Sequence, residues 1–146
     1  MRRPWSRDEL ILAFNLYLKI PFGKYHKGNQ KVIELAKLIN RTPSAVAMRL
    51  SNFASVDPYH QERGIKGLTG GLKQVKPIWD EFSENKEELI FESEKILAEI
   101  QNLSIETKFK TVLDGIENFV GESKVREVKT RVNQNVFRQI MLTNYH

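Results

Sequence analysis

The chain has 146 residues, is 40% hydrophobic and 28% charged, and carries a net charge of +5 with no cysteine. That length suits one domain or one domain with an appendage, and the apolar content is too high for a wholly disordered chain. Disulfides, thiolate nucleophiles and cysteine-bound zinc are excluded. No apolar run reaches the roughly 18 residues of a membrane span, no secretory signal opens the chain, and the composition fits a reducing, cytoplasmic setting.

The charge is uneven. Residues 1–76 hold 14 Lys and Arg against 5 Asp and Glu, residues 77–122 hold 4 against 12, and residues 123–146 hold 5 against 1. A basic part would be drawn to a polyanion and an acidic part repelled by one, although lysines that simply solvate a surface give the same count.

Ser6 and Glu9 form an S-x-x-E capping box, so a helix is predicted from about Ser6, with Leu10, Phe14, Tyr17 and Leu18 on its apolar face. Trp5 precedes the cap, and Pro21 disfavours helix at Ile20, which ends the element. The following loop holds Lys24, His26 and Lys27. A second helix is predicted over 30–40, with Val32, Leu35, Ala36 and Ile39 in one stripe and Asn40 as a left-handed terminator. Thr42 and Pro43 then cap and start a third helix, ending near Ser55, with Val46, Leu50 and Phe53 inward.

Residues 59–76 hold four of the eight glycines and read as a basic, glycine-rich loop. A short helix is expected after Pro77, and a longer one over 86–102 with Leu89, Ile96, Ile100 and Leu103 on one face. Residues 104–121 suggest some helix, broken at Gly121. A basic helical stretch over 124–131 and a last helix over 133–145 complete the chain.

The most specific feature is residues 33–54, IELAKLINRTPSAVAMRLSNFA: two short helices joined by a tight turn, the second capped by Thr-Pro. This is a helix-turn-helix arrangement. The third helix buries one stripe and leaves Ser44, Ala47, Met48, Ser51 and Asn52 opposite it, with Arg49 near the edge. Small side chains permit approach to base edges in the major groove; Arg49 and Asn52 suit guanine and adenine, and Met48 or Ala47 a thymine methyl. Arg41 and the free N–H groups beside Thr42 are placed for phosphate. Small residues on a helix face also serve plain helix packing, so the motif alone leaves both readings open.

Three further groups bear on the same surface. Arg63, Lys66 and Lys73 flank the glycines of 64–71 and suit backbone phosphates, although a flexible connector would look alike. Arg2 and Arg3 precede the first helix and suit a minor-groove arm or a disordered tail. Adjacent carboxylates such as Glu87 and Glu88 point apart on a helix and make a poor acid/base pair, and the three histidines fall at no metal-ligand spacing.

Trp5-Ser-Arg-Asp-Glu, Tyr17 and LAKLINRTPSAVAMRLSNF together resemble the three-helix Myb/SANT-like pattern. More specifically, WSRDELILAFNLYLKIPFGK, RTPSAVAMRLSNFASVDP and RGIKGLTGG resemble the N-terminal region of bacterial HNH-type restriction endonucleases. RVNQNVFRQIMLTNY resembles the segment leading into their nuclease domain. The likeness spans 4–82 and 131–145; Asn40 departs from the glycine usual at such turns. In that family the catalytic His, Asn and metal lie beyond this lead-in, so no catalytic or metal-binding residue carries over to this sequence. The parent nuclease that the resemblance implies would need a divalent metal; this chain is expected to need no cofactor.

The expectation is therefore a mainly α protein: a trihelical, Myb-like helix-turn-helix head over 1–58, the basic loop over 59–76, an acidic helical spacer over 77–130, and a nuclease lead-in stub over 131–146. The expected function is double-stranded DNA binding as the recognition portion of an HNH-type endonuclease, without a membrane and with homodimerisation open. A helix-turn-helix transcriptional regulator and a protein-interaction module are the alternatives.

Overall fold

The computed structural model describes residues 3–21, 23–58 and 72–144. Arg2, Arg63, Lys66 and the glycines of 64–71 lie outside the described residues. Among the described residues there is no strand. The helices are α1 (Arg7–Lys19), α2 (Gln30–Leu38), α3 (Pro43–Val56), α4 (Leu72–Phe82), α5 (Lys86–Ile100), α6 (Ile105–Lys108) and α7 (Gly121–Asn144), with a single 3-10 turn at Ile116–Asn118. The protein is mainly α-helical.

Local chemistry sets the ends of the first three helices. The Ser6 hydroxyl accepts from the Glu9 N–H, and the Glu9 carboxylate accepts from the Ser6 N–H, so two otherwise orphaned donors are satisfied reciprocally. Asn29 caps α2 through the Lys31 N–H. Thr42 caps α3 through the Ala45 N–H, with Pro43 in the first turn. Between α2 and α3, Asn40 adopts φ 56°, and the Arg41 N–H reaches back to the Ala36 carbonyl at 2.9 Å. The same closure recurs after α5, where Asn102 has φ 59° and the Leu103 N–H meets the Ala98 carbonyl at 2.8 Å. Asparagine tolerates this left-handed conformation better than other residues with a Cβ.

The main core forms where α1 crosses α3. Phe14 is wholly buried between Phe53, 4.8 Å away centroid to centroid, and Trp79, 5.1 Å away on its other side. Val46, Leu50 and Val32 are also fully enclosed. Tyr17 packs here and donates from its hydroxyl to Asp57 Oδ2 at 2.6 Å, tying α1 to the end of α3.

Three expectations about organisation need correction. The first concerns the stretch after the glycine-rich segment. Residues 72–76 are helical rather than loop, and Pro77 sits inside α4. Proline removes one N–H from the helix ladder, but burial of Val75, Ile78 and Phe82 along one face outweighs that loss. The second concerns the acidic segment, which is not a spacer. Leu89 and Ile96 of α5 belong to the same core as α1 and α3. The buried Glu94 carboxylate joins α5 to Lys19 of α1 at 3.1 Å and to Lys108 of α6 at 3.3 Å. The third concerns residues 124–144, which read as parts of two helical stretches and lie in one continuous helix. Val128, Val132 and Val136 lie one turn apart along the continuous α7, and all pack with Ile90, Leu113 and Ile116 in a second core.

Candidate nucleic-acid interface

The site is built around Glu9, the third residue of α1 and the carboxylate of the capping box. Its side chain is only 8% exposed and receives Arg41 Nε at 2.9 Å, Arg41 Nη2 at 3.0 Å and Arg3 Nη1 at 3.0 Å. Burial by itself would raise the Glu9 pKa. The Arg41 hydrogen bonds, the Ser6 N–H and the charges of Arg41 and Arg3 outweigh that effect and hold it at about 2. Glu9 is therefore ionised at any ordinary pH.

The guanidiniums do more than neutralise Glu9. Arg41 also donates to the Arg3 and Pro4 carbonyls, while Arg3 donates to the carbonyls of Ile39 and Asn40. The segment before α1 is thereby laced to the turn before α3. Trp5 lies within this lacing, with the Arg41 guanidinium 4.7 Å and the Arg49 guanidinium 5.4 Å from its ring centroid. Arg49 donates from Nη1 to Asn52 Oδ1 at 2.7 Å, and its Nε is buried without a partner. Burial first, and the neighbouring Arg41 charge second, lower the Arg49 pKa from its usual value.

Arg3, Trp5, Arg41 and Arg49 border a surface cleft of about 860 Å³ that runs beside α3, with Ser44, Met48 and Gln74 among its other lining residues. Among the described residues lining it, none belongs to the acidic segment 77–122. Among its described lining residues the charged ones are Arg3, Arg41 and Arg49, and Glu9 behind them pairs with two of the three. Three acidic groups of 77–122 are engaged elsewhere: Glu81 with Arg7, Glu88 with Lys129, and Glu94 with Lys19 and Lys108.

The sequence-predicted residues separate into groups. Thr42, Ser44 and Met48 are exposed on α3, Met48 at 45%. Ser51 is half-buried beside them, its carbonyl accepting from the Ser55 hydroxyl. Lys24 and Lys27 are exposed in the connection between α1 and α2 and do not line the cleft. Lys73 is exposed, but on helix α4 rather than in a loop, next to the cleft residue Gln74.

Five residues are placed otherwise than expected. Asn52 is fully buried and bonded to Arg49, so it cannot present its amide to a base edge. Arg49 is turned to Asn52 and Trp5, which removes the paired guanine and adenine contacts expected of these two residues. Ala47 packs partly buried against the core and is not an open contact point. Arg41 is 10% exposed with all three guanidinium nitrogens engaged internally, and Arg3 is anchored rather than a loose arm. Their charge reaches the cleft, while most of their donors hold the turn and the segment before α1.

Sequence reasoning missed Glu9 as the hub, Trp5 as the platform for two guanidiniums, and Gln74 as a wall. The capping box announced a carboxylate at the third helical position. Its two arginines lie 6 and 32 residues away, and nothing in the local pattern links them. No family model, curated protein or solved structure matches the chain.

Proposed function

We propose that the chain binds double-stranded DNA through the exposed strip of α3, with the arginine cleft beside it drawing in the phosphate backbone. The observation that carries this reading is the positive excess at the cleft: Arg3, Arg41 and Arg49 line it with Glu9 paired to the first two, next to a helix surface whose exposed side chains are Thr42, Ser44 and Met48. A helix with short side chains at its exposed face fits the major groove, and positive charge at its flank supplies sequence-independent affinity. The first-turn N–H groups of α3 add a partial positive charge at the same end.

The resemblance to HNH-type endonucleases rests on the sequence motifs alone, and under it these residues would serve recognition and not cleavage. Base contact in this reading falls to Ser44 and Met48, because Arg49 and Asn52 are tied to each other. Selection of bound sequences from a random duplex pool, with and without methylated bases, tests it. An enriched motif that changes in Met48→Ala supports the assignment. An enriched motif unaltered by changes at Ser44 and Met48 removes α3 as the reader.

A second reading has one observation behind it. Phe137 at 55%, Met141 at 43% and Leu142 at 56% exposure leave apolar surface near the end of α7, as a protein-interaction module or a dimer contact would require. Sedimentation at rising concentration separates self-association from a monomer.

A further inference from the structure

Glu9 pairs with two of the three arginines at the cleft and leaves the third. Arg49 lines the cleft and is paired with no carboxylate among the described residues. Its Nη1 donates to the neutral amide oxygen of Asn52, and its Nε is sealed in the interior. The Nη2 edge is neither bonded nor sealed off among the described residues, so it is the part of this guanidinium that a ligand can reach from the cleft. Burial and the Arg41 charge both work against the Arg49 cation, and no internal anion offsets them. The helix sets two hydroxyls and a gap beside it. Thr42, Ala45 and Arg49 fall at i, i+3 and i+7 of α3, on one face, and all three line the cleft. Ala45 contributes only a methyl and leaves the space between its neighbours open. Thr42 Oγ1 accepts from the Ala45 N–H, which leaves its own hydrogen to donate, and the exposed Ser44 hydroxyl adjoins it.

We propose that Arg49, with the hydroxyls of Thr42 and Ser44, forms a seat for one phosphate group over Ala45, while Arg3 and Arg41 hold its shape and add attraction without contact. The unbalanced guanidinium requires an anion, and charge-assisted hydrogen bonds from a guanidinium to a phosphate are among the strong ones. A phosphate presents three oxygens to the three donors, a carboxylate only two. Arg3 and Arg41 are unsuited to the contact because Glu9 and the carbonyls around the turn already hold them. The inference deepens the DNA reading, in which the phosphate belongs to a duplex backbone, but the seat itself would take a free phosphate as well.

Titration of the whole protein with inorganic phosphate, and with acetate at matched ionic strength, followed by the Arg49 Nε–H and Trp5 indole N–H resonances, tests the seat. Phosphate is expected to produce saturable shifts and acetate to bind more weakly. Arg49→Gln, read from Trp5, should weaken phosphate by about tenfold or more, as for loss of a hydrogen bond to a charged group. Ala45→Glu should do the same without harm to the fold, because it completes a capping box with Thr42 and brings a competing carboxylate to the seat. Lys24→Gln removes an equal charge away from the cleft and should leave phosphate binding unchanged. A duplex separates the sources: if the phosphate is that of a DNA backbone, Arg49→Gln lowers the slope of log affinity against log salt by about 0.9. Arg49-dependent binding of phosphate without any duplex binding keeps the seat and removes the DNA reading. Equal shifts in Arg49→Gln and the wild type, equal binding of acetate, or no shift at all overturns the seat and means an adventitious ion only. Duplex binding with an unchanged slope in Arg49→Gln would then leave the DNA reading standing without it.

Discussion

Glu9→Gln removes the charge on which the segment before α1 and the turn before α3 converge, while keeping the side chain's shape. The folded carboxyl has a pKa of about 2 against an ordinary 4.5. A difference of that size corresponds to about 3 kcal/mol of stability in full. Arg3, one of its two partners, has a side chain 53% exposed, so solvent screening brings the expected contribution nearer 2 kcal/mol. Because the folded pKa is depressed, the contribution is complete above about pH 4.5 and disappears as the pH falls toward 2. Urea unfolding followed by circular dichroism at several values between pH 7 and pH 2 measures it. The wild-type protein should lose about 2 kcal/mol more across that acid window than Glu9→Gln, whose stability at pH 7 should already be lower by about 2–4 kcal/mol. Parallel acid profiles for the two proteins would refute the reasoning, since they would mean that Glu9 titrates normally in the fold.

Other consequences are simpler to state. Asn52→Ala should cost about 1–3 kcal/mol, because it strips Arg49 Nη1 of its acceptor, whereas Met48→Ala should stay within about 0.5 kcal/mol; denaturant midpoints decide both. Leu50→Ala should cost about 2–5 kcal/mol, as expected for a fully enclosed leucine, and a smaller loss by the same assay would contradict its place in the core. Burial raises the pKa of Tyr17, reinforced by its bond to Asp57, and burial pushes Tyr25 up to about 12. Both raised values make stability complete below about pH 10 and lost as the pH climbs toward 12. Ultraviolet phenolate absorbance should therefore show two late-ionising tyrosines, coincident with alkaline unfolding. Normal titration of Tyr17 and Tyr25 would contradict the burial of these two side chains.

The parts of this structure legible in the sequence are those fixed within a few residues. Ser6 with Glu9, Thr42 with Pro43, and Asn40 at the turn each satisfy backbone groups of their own neighbourhood, and the helices begin and end where these residues place them. Apolar spacing likewise located Val46, Leu50 and Phe53 in the core. What escaped depends on distant contacts. Asn52 falls outside the apolar stripe of α3, yet Arg49 occupies it and it is enclosed. Lys19 and Glu94, 75 residues apart, join segments whose opposite charges suggested separate bodies. Pro77 read as a boundary because its local cost was visible and the compensating burial of Val75, Ile78 and Phe82 was not. At the interface, the exposed residues Ser44 and Met48 were legible from periodicity. The cleft beside them was not, because it exists only once Arg3, Arg41 and Arg49 gather around Glu9 and Trp5.

Fluorescence anisotropy of a labelled duplex, titrated over a range of salt with the wild-type protein and with Ser44→Glu, tests the central claim most directly. Wild-type affinity should fall linearly on logarithmic axes, by a slope of about 0.9 for each phosphate neutralised. Ser44→Glu places a negative charge on the exposed strip beside the arginine cleft, and it should lower affinity by about tenfold or more at every salt concentration while leaving the thermal melt unchanged. Absence of binding at low salt, or equal affinity of the two proteins, would contradict the account.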